Sequence, residues 1–256
     1  VIIILSSFVA TGHAGGGAQL SALARLEATA ALAPTVLFGR HPGLGPPGGG
    51  PVSAAQFEAV IGGMAAAGAF EAATAVICGY FAEPAQVEVA ARALDDIRAA
   101  SSGALIVVDP VMGDAPKGLY VAAPVAAAIA ASLVSRADLI APNAWELQRL
   151  TGCVIADGPS ALAAARETGR SVLVSSVPAG RRIGVLWTDG EEACLASHRR
   201  APDAVKGTGD LLTALFAAAL VDGAAPPDAL ETAVSDVAGF ALGEEVEVTV
   251  ERLSHA

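Results

Sequence analysis

Aromatic residues make up only 4% of this 256-residue chain, and charged residues only 16%. Lysine is nearly absent: Lys117 and Lys206 are the only two, and Arg supplies the remaining positive charge. Fifteen basic residues against 26 acidic ones leave a formal net charge of −11, with no Lys/Arg run. Nucleic acids and anionic membrane surfaces are bound through a basic footprint, so neither is expected as a partner. The three cysteines, Cys78, Cys153 and Cys194, are odd in number, widely spaced and free of any C-x-x-C. That pattern fits a reduced, cytoplasmic protein whose thiols serve as small apolar side chains. His13, His41, His198 and His255 add no zinc-ligand spacing. The longest apolar stretch, VAAPVAAAIAASLV (121–134), falls short of the ~20 residues that span a bilayer and reads as a buried helix. The opening VIIIL is too short, and lacks the basic lead, for a signal peptide. No G-x-x-x-x-G-K-[ST] and no G-x-S-x-G occurs, which excludes a P-loop and a hydrolase nucleophile elbow.

What the chain has in abundance is apolar residues, 54% of the total, enough for one large domain over 1–256 with a substantial core. Short β-branched runs at 1–5, 34–38, 74–78, 104–109, 137–142, 171–176 and 183–187 predict strands. They are apolar almost throughout, as strands covered on both faces should be. Ala-rich runs between them predict helices at 16–28, 54–68, 84–100, 122–134, 143–151, 159–168, 209–222 and 227–242, several opened by a cap or proline at Ser53, Pro84, Pro124 or Asn143. Alternating strand and helix implies a three-layer α/β/α fold around a central, mostly parallel sheet.

GRHPGLGPPGGGP (39–51) interrupts the alternation. Its Gly and Pro content excludes helix and inner strand, leaving a surface connection or a flap over a site. The literal G-x-G-x-x-G from Gly43 to Gly48 is no dinucleotide fingerprint, because Pro46 and Pro47 followed by three glycines cannot open a helix.

Three segments can carry chemistry. VKGTGDLLTAL (205–215) places Gly207, Thr208, Gly209 and Asp210 at the start of an apolar helix. A helix N-terminus offers free amides and positive dipole, and glycines let an anion approach the backbone. A carboxylate beside such an anion hole suits a base that deprotonates a hydroxyl next to a transferring phosphoryl group. An acid complementing the helix dipole would look the same in isolation. IVVDPVMGD (106–114) ends a strand on Asp109; Asp109 and Asp114 can hold Mg²⁺ directly or through water, or can be plain turn acids. In APNAWELQRLTG (141–152), Asn143 and Glu146 stand three apart, as a ligand pair or as a capping box. At the amino end, LSSFVATGHAGGGAQ (5–19) brings Ser6, Ser7, Thr11 and His13 to the same sheet edge, where polar groups can bind a small polar ring.

Taken in order, these segments resemble the pyridoxal kinase family of the ribokinase-like superfamily, over nearly the whole chain. SSFVATGHAGGGA is similar to the family's S-x-V-x-x-G-x-x-G-N-x-A, PTVLFGRHPG to its N/P-T-V-x-x-S-N-H/T-P, and CGYFAEPAQ to its S/T-G-Y-x-G-x-x-x-Q. VVDPVMGDAPKGLYV, the P-N-x-x-E-x-x-x-L-T-G segment and the G-T-G-D end complete the set. The resemblance implies ATP-dependent phosphorylation of the 5′-hydroxymethyl group of pyridoxal, pyridoxine or pyridoxamine. It implies Asp210 as base, the amides of Gly207, Thr208 and Gly209 around the γ-phosphoryl group, and Asp109, Asn143 and Glu146 around Mg²⁺, with Asp109 and Glu146 as its protein ligands, largely through water. It further implies Ser175, Ser176 and Lys206 near ATP, Ser7, Thr35, His41 and Tyr80 around the vitamin, K⁺ as a monovalent cation, and a homodimer. The chain departs from the pattern at Phe8, where Gln or His is usual, at Gly39-Arg40, where Ser-Asn is usual, and in GLGPPGGG, which lacks the flap's ring-covering aromatics. A kinase for another hydroxymethyl heterocycle, such as hydroxymethylpyrimidine, and a non-catalytic vitamin B6 binder are the competing expectations.

Overall fold

The computed structural model describes residues 1–201 and 205–253; His255 lies outside the described residues. The central sheet has ten strands in the order β12-β11-β10-β9-β8-β5-β4-β1-β2-β3. β1 (Ile2–Thr11), β2 (Ala30–Arg40), β4 (Ala75–Cys78), β5 (Leu105–Val108), β8 (Leu139–Ile140) and the start of β9 (Ser171–Ala179) run parallel. β10 (Arg182–Thr188), β11 (Ala193–Arg199) and β12 (Thr249–Arg252) continue one end as an antiparallel meander, and β3 (Gly49–Pro51) adds antiparallel to the other. A separate two-residue ribbon pairs β6 (Gly113–Asp114) with β7 (Gly118–Leu119).

The unbroken apolar strands are explained by two cores. Successive residues point to opposite faces of a sheet. Ile2, Ile4, Ala75, Ile77, Val107 and Leu139 pack on one face against α1 (Gly15–Arg25), α7 (Thr208–Val221) and α8 (Pro226–Leu242). Ile3, Leu5, Val76, Cys78, Ile106 and Val108 pack on the other against α2 (Ala54–Ala66), α3 (Pro84–Ala100), α4 (Ala123–Ala128), α5 (Ala144–Thr151) and α6 (Gly158–Arg166). β1 has β2 on one side and β4 on the other, so strand order reverses at β1. The loops leaving that reversal diverge, which opens a crevice at the carboxyl ends of the strands.

Four expectations change. The helix expected over 122–134 is α4 followed by a wider π turn, Ile129–Leu133, and a 3-10 turn, Val134–Arg136, with Ile129 and Leu133 both in the core. The Gly/Pro stretch is not structureless: Arg40 ends β2, Pro42–Leu44 form a 3-10 turn, and 49–51 make the outermost strand, where proline needs no ladder partner. β1 and β2 both outrun their apolar segments. The antiparallel strands β11 and β12 were not expected: ACLASHR has little β-branching, and TVER lies at an exposed edge.

Candidate active site at the carboxyl end of strand β1

Two glycine-rich turns interlock where β1 ends. After β1 the chain turns through Gly12 and enters α1 at Gly15, whose φ is +69°; a Cβ there would overlap the Ser7 hydroxyl. Gly207 caps α7 with φ +86°, and a Cβ there would overlap the His13 carbonyl oxygen. Only glycine satisfies both the backbone angle and the contact. The Gly15 amide donates to Asp210 Oδ2 at 2.8 Å, so the first turn of α7 and the first residue of α1 meet at one carboxylate. Enclosure by protein pushes the Asp210 pKa up to about 6, against the opposing pull of the Gly15 amide. Gly209 has open space where its side chain would be, leaving the helix mouth accessible.

A second acidic group faces it. Asp109, buried just past β5, accepts a 3.0 Å hydrogen bond from Thr213, which lies one turn along α7 from Asp210. Burial, then the charges of Glu146 and Asp210, raise its pKa well above the usual carboxylate range. The chain leaves Asp109 through Val111, whose φ of +42° is an unusual conformation for a β-branched residue.

Glu146 is gripped by backbone on two sides. Asn143 and Glu146 form the capping box of α5: Asn143 Oδ1 accepts from the Glu146 amide at 3.0 Å, and Glu146 Oε2 from the Asn143 amide at 2.9 Å. Glu146 Oε1 also accepts from the amides of Met112 (2.6 Å) and Gly113 (3.2 Å), and Asn143 Nδ2 donates to the Gly113 carbonyl at 2.8 Å. With three backbone amides on its two oxygens and its side chain buried, Glu146 braces the 109–114 loop. Burial raises its pKa to about 7. Asp114 differs: its Oδ1 is buried and has no partner among the described residues. An unsatisfied carboxylate oxygen on the loop that Glu146 braces, its charge felt by Glu146, is chemically suited to a hard cation such as Mg²⁺, which keeps waters and phosphate oxygens as its other ligands. No group of three or more acidic, His or Cys side chains among the described residues is arranged to cage a metal.

On the other side of β1, Ser6 and not Ser7 makes the cross-strand contact: its hydroxyl accepts from the Tyr80 amide at 3.2 Å. Thr35 is fully buried and donates to the Tyr80 carbonyl at 2.6 Å, so its hydroxyl is committed to the scaffold. Ser7, also buried, abuts Gly15. Tyr80 is partly exposed, and burial raises its phenol pKa. His41 starts the 3-10 turn of 42–44, where Nδ1 accepts from the Gly43 amide at 3.0 Å. Partial burial, then the charges of Lys206 and Lys117, lower its pKa, so both lysines of the chain act on this one imidazole. A Cβ on Gly43 would stand 3.7 Å from Lys206 Cε, which places the 39–51 segment against the lead-in to the anion hole. Ser175 bridges to Asn143, and Ser176 follows with φ +61°.

Four residues of this region escaped the sequence reading. Thr213 and Gln19 fall inside the segments 205–215 and 5–19, but the sequence assigns neither a role there. Gln86 is the last residue of CGYFAEPAQ; fully buried, it donates to the carbonyls of Thr35 (2.8 Å) and Val52 (2.6 Å) and accepts from the amides of Ala82 (2.9 Å) and Glu83 (3.3 Å). Tyr120, half-exposed after the β6–β7 ribbon, has its phenol pKa raised by burial and by the charges of Glu146, Asp109, Asp114 and Asp210.

A family model described as phosphomethylpyrimidine kinase matches residues 10–249. The pyridoxine/pyridoxal/pyridoxamine kinase of Bordetella avium is 35% identical over 90% of this chain and 80% of its own length. The pyridoxal kinase of Corynebacterium diphtheriae is 34% identical over 92% and 86%. The chain belongs to the pyridoxal kinase family. Its fold is that of the Entamoeba histolytica pyridoxal kinase (TM-score 0.90, 22% identity, 98% of this chain and 99% of that one). The Leishmania donovani pyridoxal kinase, solved with ADP and pyridoxamine, superposes with TM-score 0.88 at 21% identity over 99% of both chains. Among the described residues of this kinase, no helix is long and apolar enough to cross a membrane.

Proposed function

We propose that this chain transfers the γ-phosphoryl group of ATP to the 5′-hydroxymethyl oxygen of pyridoxal, and of pyridoxine and pyridoxamine. The observation that carries the reading is Asp210: a half-buried carboxylate, fixed by the Gly15 amide at 2.8 Å and set in the first turn of α7. With a pKa of about 6 it is ionised at neutral pH yet basic enough to take a proton. It removes the hydroxyl proton as the new O–P bond forms and the bond to ADP breaks. The amides of Gly207, Thr208 and Gly209 neutralise charge on the transferring group. Asp109 and Asp114 would hold Mg²⁺, with Glu146 acting through water and through its grip on the loop; when bound, the metal offsets the phosphate charge. Ser175, Ser176 and Lys206 border the nucleotide, with K⁺ as an accompanying cation. Ser7, Thr35, His41 and Tyr80 shape the vitamin pocket, Thr35 and Ser7 by holding its walls. The 39–51 segment closes over the ring and keeps water from the phosphoryl group. A cytoplasmic homodimer belongs to the same reading.

The test is ATP turnover with Mg²⁺, with and without K⁺, against pyridoxal, pyridoxine, pyridoxamine and hydroxymethylpyrimidine. Asp210→Asn is expected to lower kcat by about 10²–10⁴-fold while nucleotide still binds. Turnover with hydroxymethylpyrimidine alone would overturn the vitamin B6 assignment in favour of the second reading, which the phosphomethylpyrimidine kinase description of the matching family model supports. Vitamer binding without turnover would mark a binding protein.

A further inference from the structure

The side chain of Gln19 is fully buried in the packing between α1 and α7. Its Nε2 donates to the backbone carbonyl of Asp210 at 3.3 Å, and its Oε1 has no partner among the described residues. Only the amide nitrogen can face a carbonyl oxygen, so the orientation is fixed by chemistry. A methionine or leucine would fill the same volume with no orphaned oxygen. An amide kept here at that cost is doing something other than filling space. Gly15 and Gln19 are four residues apart and therefore share one face of α1. Gly15 binds the Asp210 carboxylate and Gln19 binds the Asp210 carbonyl, so one helix holds this residue at both ends.

We propose that Gln19 is a positioning residue for Asp210, acting with the Gly15 amide to fix the direction in which the base presents its free oxygen. The proposal rests on the kinase reading above, in which Asp210 is the base. Asp210 lies in the first turn of α7, next to the Gly207 cap that packs on His13, and α1 adds two hydrogen bonds to it from outside its own helix. Without the carbonyl anchor the first turn of α7 can rotate, and the carboxylate drifts from the Gly15 amide. The titratable groups whose charges meet Asp210 are Asp109, beyond β5, and Tyr120; α1 has no charged residue before Arg25.

The experiment compares Gln19→Met, which keeps the volume and removes the donor, with Gln19→Asn, which keeps an amide one methylene too short. Both are expected to lower kcat about ten- to a hundredfold, with KM for ATP and for the alcohol within about twofold of wild type. The Asp210 carboxyl, followed by ¹³C NMR and assigned with Asp210→Asn, is expected to titrate at higher pH in both variants, because the Gly15 amide no longer holds its charged form. A folded Gln19→Met with unchanged kcat and an unmoved Asp210 titration would overturn the proposal. A kcat loss that only follows lost thermal stability, with the titration unmoved, would overturn it equally. Should Gln19→Met fail to fold, Gln19→Asn decides by the same two readouts. The titration needs no turnover, so the proposal stands or falls apart from the identity of the substrate.

Discussion

The carbonyl oxygen of His13 occupies the place that a Cβ on Gly207 would need. The turn that ends the first strand and the turn that opens the anion hole are therefore built around each other. Gly207→Ala meets both this overlap and a φ of +86°. It is expected to lower stability by about 2 kcal/mol or more and to remove most activity, because the two turns must separate. Thermal melts and ATP turnover on the same preparation check it; a stable, active variant would show that the turns can part freely.

Asp210 should make the protein less stable as pH rises. Its folded pKa, about 6, lies above the ordinary value of 3.8. Folding therefore binds its proton, and the associated stability is full below about pH 4 and lost as pH climbs through 6. Asp210→Asn, which can still accept from Gly15, is expected to be more stable than wild type at pH 8 by about 1–3 kcal/mol, with the gap closing toward pH 4. Over the same range wild-type kcat/KM should rise with pH through about 6 as the base of the free enzyme ionises. Denaturation and rate profiles across pH 4–8 test both signs.

Glu146→Gln should act mainly on stability. One carboxylate here accepts three backbone amides, whereas the amide of Gln would turn two hydrogens toward donors. A loss of about 3 kcal/mol is expected, read by chemical denaturation, together with a weaker Mg²⁺ dependence because the Asp109–Asp114 loop loses its brace.

Gln86→Leu leaves the carbonyls of Thr35 and Val52 without their buried donor. Val52 directly follows β3, so the change unties the base of the 39–51 segment. Stability should fall by about 2–4 kcal/mol, and KM for the alcohol should rise more than KM for ATP. Equal rises in both constants would place the segment away from the alcohol.

Much of this could be read from residues alone, and what could not has physical reasons. The parallel strands announced themselves because both faces of each are buried, and helix starts because Ser53 and Asn143 act locally. β12 stayed hidden because an exposed edge strand, Thr249–Arg252, needs no apolar signature. The Gly-Thr-Gly-Asp mouth was visible as a cluster of neighbours. Gln19 and Thr213 were not, since their meaning lies in partners 191 and 104 positions away. Asn143 and Glu146 looked like a capping box or a ligand pair; only the Met112 and Gly113 amides reveal that the box also clasps a loop.

The bond from Gly15 to Asp210 joins positions 195 apart. At translation rates of about 5–20 residues per second, the amide waits about 10–40 s for its carboxylate. During that interval β1, β2 and β4 can already associate under α1, but α7 and α8 have yet to join the same face, where Ile77 and Val107 lie. A nascent chain of this kind carries a partly covered apolar sheet until α7 has been made, and it acquires its reactive centre only then. A chain caught in that interval shows more apolar surface than the finished fold, and it has no catalytic power until α7 docks against α1.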